Sequence, residues 1–259
     1  MEELAKIKEV AVSVAQEAGN YALQRMGHLK QVSQKSGRTD LVTDVDKKCE
    51  EIIIGRIKKD FPAHSILAEE SGEYSREAAH RWVIDPLDGT TNYAHSFPVF
   101  CVSIGVMLND KVKLGVVYDP SREELFMAED GKGAFLNGKK IKVSGTKALQ
   151  DSLVVTGFAY NIQGKIANVE YFKKMLEITQ AVRRLGSAAL DLCYVACGRF
   201  DGFWELGLNP WDMAAGQLVV KEAGGIVTTM RGGPFDIFKK DITATNGIIH
   251  DEMLKGMIH

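Results

Sequence analysis

The chain has 259 residues, 45% of them hydrophobic and 25% charged, with a net charge of −2. That length supports one large or two modest domains with a well-buried core, and the near-neutral charge excludes a global field drawing the protein to nucleic acid or a membrane surface. No apolar run nears the ~20 residues of a membrane span, and Glu2, Glu3, Lys6 and Lys8 interrupt any apolar core that a secretory leader would need.

In chain order, Leu4, Ile7, Val10, Ala11, Val14, Ala18, Tyr21 and Ala22 fall on one face of a helix that Gly27 ends. The stretch 31–40, rich in Ser, Lys and Gly, reads as a loop. Cys49, Ile52, Ile53 and Ile57 mark a second helix over 43–60, with Pro62 beyond its end. Strands are predicted over 65–68 and 81–84, the latter stopping at Asp85-Pro86 because proline cannot donate to a strand ladder. Further strands cover 99–108, 112–118 and 124–128, with Asn109-Asp110 as a tight turn, and Gly131, Gly133 and Gly138 break up the next stretch of chain. Beyond lie a strand at 153–156, a helix at 166–180, and a strand at 182–185 running into a helix at Gly186-Ser187-Ala188. A strand at 201–206, a helix at 211–223, short strands at 226–228 and 242–244 and a helix from 251 complete the pattern. A soft boundary at 145–152 divides an N-terminal α+β half, 1–150, from a C-terminal α/β half, 151–259, of one compact unit. The whole reads as an α/β (α+β) protein of layered sheets and helices. Of the four cysteines only Cys193 and Cys197 are close in sequence. That is too few ligands for a structural zinc site, and the cysteines read as core residues of a cytoplasmic protein. The short basic runs Lys139-Lys140 and Arg183-Arg184 read as solvated surface.

The chemistry gathers at Ile84-Asp85-Pro86-Leu87-Asp88-Gly89-Thr90-Thr91-Asn92. An apolar strand ends on one carboxylate and a second follows three residues on. Glycine then permits a tight turn or close ligand approach, and two hydroxyl residues suit a helix start. Helix starts present N–H groups and a positive dipole end to phosphate, and paired aspartates suit hard divalent cations. In isolation the stretch fits an exposed Asp-rich turn equally well. Three other acidic sites also stand at element ends: Asp40, Asp44 and Asp46 at the entry of the second helix, Glu69-Glu70 after a strand, and Asp212 at the start of a later helix. Each alone could serve only a helix dipole or the solvated surface. If Asp46, Glu69, Asp85, Asp88 and Asp212 converge, their charges raise one another's pKa, and two or three magnesium ions would turn the cluster into a phosphate-binding centre.

Reaction magnitude points the same way. Phosphate monoester hydrolysis needs acceleration of up to ~10²¹-fold, whereas one general acid or base supplies about 10²- to 10⁴-fold. Paired metals clamp both the attacking and the leaving oxygen. The chain carries no Gly-x-Ser-x-Gly elbow and no Gly-Lys-Ser/Thr phosphate loop, and its six histidines show no paired spacing suited to zinc.

The ordered set Asp40…Thr43…Asp46, Glu69-Glu70-Ser71, Asp85-Pro86-Leu87-Asp88-Gly89-Thr90-Thr91, Trp211-Asp212-Met213-Ala214-Ala215-Gly216 and Glu222-Ala223-Gly224-Gly225 resembles the inositol monophosphatase family over nearly the whole chain. The resemblance implies an αβαβα layered sugar-phosphatase fold and magnesium bound by Glu69, Asp85, the Leu87 carbonyl, Asp88 and Asp212, with Asp85 bridging two ions. It implies that Glu69 and Thr90 position the attacking water while Asp46 orients Thr90, and that Asp88 also touches a substrate hydroxyl. The Gly89-Thr90 backbone would hold phosphate, Gly186, Ser187 and Ala188 would line the substrate pocket, and Glu205 would bond sugar or inositol hydroxyls. Lys35 falls where the family has a mobile loop over the metals. Lithium inhibition and a homodimer are family traits expected here, with a small phosphorylated polyol or sugar as substrate and no membrane or nucleic-acid partner. Ser187, where some relatives have threonine, and Asn209-Pro210 before Trp211 leave substrate choice open. Inositol monophosphate ranks first, fructose bisphosphate is the alternative in the same fold, and a non-enzymatic role with RNA or transcription machinery is the third reading.

Overall fold

The computed structural model describes residues 2–28, 32–37, 40–74, 78–159 and 162–258. Helix α1 (Glu2–Arg25) buries Ile7, Val10, Val14 and Ala18, and α2 (Asp44–Asp60) buries Cys49, Ile53 and Ile57 in the same core. Between them β1 (Val32–Gly37) pairs antiparallel with β2 (Asp40–Thr43). This hairpin corrects the loop expected at 31–40: backbone ladder bonds form a ribbon although the polar sequence lacks alternation. Lys35 lies in β1 and Asp40 in β2, but their side chains fall outside the described residues.

The main sheet is built from β3 (Ser65–Ala68), β4 (Gly72–Tyr74), β5 (His80–Asp88) and, after the short helix α3 (Thr90–Ala94), β6 (Cys101–Leu108), β7 (Lys111–Asp119), β8 (Glu124–Glu129), β9 (Gly133–Leu136) and β10 (Lys139–Lys140). Its strand order is β10-β9-β8-β7-β6-β5-β3-β4, with β3 and β5 parallel. The second sheet and its helices come next: β11 (Leu153–Thr156), α4 (Ile162–Ile178), β12 (Ala181–Arg183), α5 (Ala188–Ala196), β13 (Gly202–Leu206), α6 (Pro210–Glu222), β14 (Ile226–Thr228), β15 (Asp241–Thr245) and α7 (His250–Ile258). Here the order is β12-β11-β13-β15-β14.

Helices α1 and α2 cover one face of the main sheet, α5 and α6 pack together between the two sheets, and α4 and α7 cover the outer face of the second. That is the αβαβα sandwich. Alternation along the strands feeds its separate cores: Val116 on β7 points to the α1/α2 core and Val117 to the α5/α6 core.

Two details set the geometry of the central layer. Gly105 and Gly115 are paired across β6 and β7. A Cβ on Gly105 would stand 2.7 Å from the Ala214 Cβ, and one on Gly115 would stand 2.6 Å from the Ala215 carbonyl oxygen. Glycine at both lets α6 lie directly on the sheet. Gly115→Val is therefore expected to destabilise the fold by about 1–3 kcal/mol, measured by urea unfolding.

The second detail corrects the expected strand end. Strand β5 does not stop at Asp85-Pro86 but continues to Asp88. Its pairing with β6 shifts between Asp85, opposite Ser103, and Asp88, opposite Cys101. Three steps on β5 face two on β6, which is a bulge, and a bulge tolerates a proline that has no N–H to donate. In a regular strand residues three apart point to opposite faces; the extra residue turns Asp85 and Asp88 toward the same side.

Candidate active site

Each acidic residue singled out in the sequence occupies an element end for a local reason. Glu69 follows β3, and because β3 runs parallel to β5 with Ala68 opposite Ile84, the next residue falls beside Asp85. The Glu69 amide donates to the Ile84 carbonyl at 3.2 Å. Asp212 is the third residue of α6, in a capping box where its carboxylate accepts from the Asn209 amide at 2.7 Å. That first turn is tied to the main sheet by Ser103, whose hydroxyl donates to the Trp211 carbonyl at 3.3 Å. Ser103 is the partner of Asp85 across the ladder, so Asp212 and Asp85 meet although they belong to different halves of the chain.

Asp46 repeats the capping box on α2, accepting from the Thr43 amide at 3.0 Å and from the Thr43 hydroxyl. Its other oxygen accepts from the Thr90 hydroxyl at 2.9 Å. The same hydroxyl lies 3.1 Å from the Leu87 carbonyl oxygen. Asp85 is 2% exposed and accepts from the Leu87 amide at 3.0 Å. Gly89 has φ 101°, and a Cβ there would lie 2.8 Å from the Val99 carbonyl oxygen, so the turn between Asp88 and Thr90 requires glycine.

Asp88 is held from the other half. One of its oxygens accepts from the Ser187 hydroxyl at 2.7 Å and the Ala189 amide at 2.8 Å, doing for α5 what an N-cap side chain normally does. Gly186, Ser187, Ala188, Glu205, Asp88 and Asp212 line one cleft. Asn92 bridges the halves by donating to the carbonyls of Val99 at 2.9 Å and Leu185 at 2.8 Å.

Burial and mutual repulsion dominate the electrostatics. The Asp85 carboxyl sits well above the ordinary range, first through burial and then through the charges of Glu69, Asp88 and Asp212. Asp212 is raised likewise by burial and by Asp88 and Glu69. Burial pushes Asp88 up to about 6 against the opposing bonds from Ser187 and Ala189. Asp46 also rises to about 6 through burial, opposed by Thr43 and Thr90. Glu205 reaches about 8 through burial and the Asp88 charge, with the Arg184 guanidinium opposing. Glu69, Asp85, Asp88 and Asp212 thus lie within electrostatic reach of one another, with Asp46 beside Glu69 and Glu205 beside Asp88. The donors are hard oxygens whose charges repel without a cation, which is the chemistry that suits magnesium.

Sequence reading missed several contributors. Arg184, read as solvated surface, is exposed but forms part of the cleft wall. Gly157 is required by Glu205: a Cβ there would stand 2.2–2.4 Å from the Glu205 carboxyl atoms. Gly157→Ala is therefore expected to displace Glu205 and raise the KM for a polyol phosphate about tenfold, with the kcat changed less, as steady-state kinetics would read. Glu222 of the Glu-Ala-Gly-Gly motif lies away from this cleft and accepts from the amides of Gly131 and Gly133 at 2.9 and 2.7 Å, fixing the turn before β9. Parallel pairing of β3 and β5 sets His64 beside His80, and Glu3 of α1 joins them, which sequence spacing did not reveal. Trp82 donates to His64 Nδ1 at 3.0 Å, so the neutral ring carries its proton on Nε2. The His64 and His80 rings stack with centroids 4.6 Å apart and an interplanar angle of 22°.

The family model described as "Inositol monophosphatase family" matches residues 3–258. The inositol-1-monophosphatase of Synechocystis sp. is 49% identical over 251 residues, covering 96% of this chain and 88% of that protein. The Nus factor SuhB of Escherichia coli is 44% identical over 252 residues, covering 96% and 94%. The solved inositol monophosphatase of Anabaena superposes with a TM-score of 0.88 at 44% identity over 99% of this chain and 96% of that one. An IMPase/NADP phosphatase solved with Mg²⁺ and phosphate superposes with a TM-score of 0.87 at 28% identity, over 98% and 95%. By the family match over nearly its whole length, this chain belongs to the inositol monophosphatase family, a family of phosphatases.

Proposed function

We propose that the protein is a magnesium-dependent phosphomonoesterase that hydrolyses inositol monophosphate to inositol and phosphate. The observation that carries this reading is the meeting of Glu69, Asp85, Asp88 and Asp212, from the end of β3, the β5 bulge and the first turn of α6, where the charges of Glu69 and Asp88 help to raise the carboxyls of Asp85 and Asp212. Glu69, Asp85, the Leu87 carbonyl, Asp88 and Asp212 would hold two to three magnesium ions, with Asp85 central. When bound, the ions would supply charge neutralisation and lower the pKa of a water.

The chain's own residues do the positioning. Asp46 accepts from Thr90 and fixes its hydroxyl toward the cleft, where Thr90 and Glu69 orient the attacking water. The Gly89-Thr90 backbone receives phosphate. Asp88, held by Ser187 and Ala189, presents its remaining oxygen to metal and substrate. Glu205, protonated near neutral pH by its raised pKa, can donate to a substrate hydroxyl, while Gly186, Ser187 and Ala188 form the wall beside it. A homodimer and a cytoplasmic setting belong to this reading. Among the described residues no helix is long and apolar enough to cross a membrane.

The test is phosphate release from inositol monophosphate, fructose bisphosphate and a nucleotide phosphate, with and without magnesium. Release that depends on magnesium and is most efficient, by kcat/KM, with inositol monophosphate is the expected result. No release at any magnesium concentration would sink the reading, and higher efficiency on the bisphosphate would overturn the substrate ranking. Asp88→Asn should abolish turnover without unfolding the chain. The likeness to the Nus factor SuhB favours a second role, in RNA-linked regulation. An Asp88→Asn variant that still complements a deletion strain, with RNA affinity falling steeply with salt, would mark it.

A further inference from the structure

The carboxylates of the cleft do not all stand on the same kind of support. Asp46 and Asp212 are fixed by the capping boxes of their own helices. Glu69 instead lies in the three-residue connection 69–71 between β3 and β4, whose ends Ala68 and Gly72 pair across the hairpin. In such a turn the direction of a side chain follows from the two planar peptides that flank it. The peptide before Glu69 is held because the Glu69 N–H donates to the Ile84 carbonyl at 3.2 Å. The peptide after it carries the Glu70 N–H, which donates to the Glu50 carboxylate at 2.9 Å. With both planes held, φ and ψ of Glu69 are set, and with them the direction in which its Cα–Cβ bond leaves the turn.

Glu50 belongs to α2 and is 4% exposed, between the core residues Cys49, Ile53 and Ile54 of the same helix. Burying a carboxylate costs stability unless it is hydrogen-bonded, and an apolar residue would serve the helix packing as well, so the bond to Glu70 is what a glutamate supplies here. Glu50 stands one helical turn beyond Asp46, on the same face of α2. Asp46 accepts from the Thr90 hydroxyl and Glu50 from the Glu70 amide. One helix face thus reaches both groups that would orient the attacking water, Thr90 through its hydroxyl and Glu69 through its backbone. We propose, resting on the role given to Glu69 above, that Glu50 is a positioning residue for the reaction: it pins the 69–70 peptide so that the Glu69 carboxylate points into the acidic cleft. The requirement is for an acceptor at this spot rather than for a charge, because the Glu70 N–H is a neutral donor.

Glu50→Gln and Glu50→Leu in the full chain test it. Glutamine keeps an oxygen for the Glu70 amide, and leucine fills the site without one. Manganese binding without substrate, read by electron paramagnetic resonance, should weaken about tenfold or more in Glu50→Leu and stay within about threefold of the unaltered protein in Glu50→Gln. At saturating magnesium, kcat for inositol monophosphate should fall about 10- to 100-fold in Glu50→Leu, with KM changed less than about threefold because the substrate wall belongs to the other half of the chain. Thermal melts report the fold, and Glu50→Ala takes the place of Glu50→Leu if the latter does not fold. A residue that only stabilised the hairpin would lower the melting midpoint and leave manganese affinity and kcat unchanged below it. That result in the apolar variant, or equal losses in Glu50→Gln and Glu50→Leu, would overturn the proposal. Unaltered protein that binds manganese but releases no phosphate would end the hydrolase reading instead, and the manganese comparison would still decide the role of Glu50.

Discussion

Asp212→Asn is expected to lower the rate of phosphate release by roughly 10²- to 10³-fold, the usual cost of removing one preorganised electrostatic group at a reacting centre. The same change should raise the unfolding midpoint of the metal-free protein by about 2–4 °C. The two effects have one cause. Asp212 is raised by burial and by the charges of Asp88 and Glu69, so removing its charge relieves the metal-free state. Asparagine can still accept from the Asn209 amide, which keeps the α6 capping box. A residue serving only as a helix cap would show neither a large rate loss nor a gain in metal-free stability. Steady-state assays and metal-free thermal melts check both halves.

Magnesium should stabilise the protein strongly at pH 8 and hardly at pH 5. Asp46 and Asp88 titrate near 6, Glu205 near 8, and Asp85 and Asp212 well above the ordinary range. All are raised, so between about pH 4 and 8 the folded, metal-free state binds more protons than the unfolded chain. Their contribution to stability is fully present below the unfolded values near 4 and is lost as pH rises through the folded ones. Cations and protons compete for the same oxygens. At a magnesium concentration about 100 times the dissociation constant, binding adds about 2.7 kcal/mol, a midpoint shift of roughly 5–10 °C for a chain of this size. His64 and His250 are shifted down by burial and contribute in the opposite sense, losing stability as pH falls. The difference between melts with and without magnesium cancels them. A magnesium shift equal at pH 5 and pH 8 would contradict the assignment of Asp85, Asp88 and Asp212 as metal ligands.

Much of this site is legible in the sequence because its carboxylates sit at element ends that periodicity and capping reveal. Asp46 and Asp212 each occupy the third position of a helix whose N-cap, Thr43 or Asn209, is readable. Glu69 follows a four-residue apolar strand. The proline after Asp85 misleads, since it marks a bulge within β5 rather than the end of the strand, and only cross-strand register shows that. The hairpin of β1 and β2 is unreadable for another reason: its stability lies in backbone pairing, and its polar residues carry no alternating pattern. Long-range contacts are likewise silent. Asp88 caps a helix that starts about 100 positions later in the chain, and Gly157 is small because Glu205 needs the space.

Carboxylates from both halves of the chain are expected to hold divalent cations in one cleft. Anomalous diffraction from crystals soaked in manganese, which takes the oxygen sites of magnesium, tests it most directly. Peaks bonded to Asp85 and shared with Glu69, Asp88 and Asp212 are the expected result. A cleft without peaks at millimolar manganese, or peaks confined to other surface acids, would contradict it.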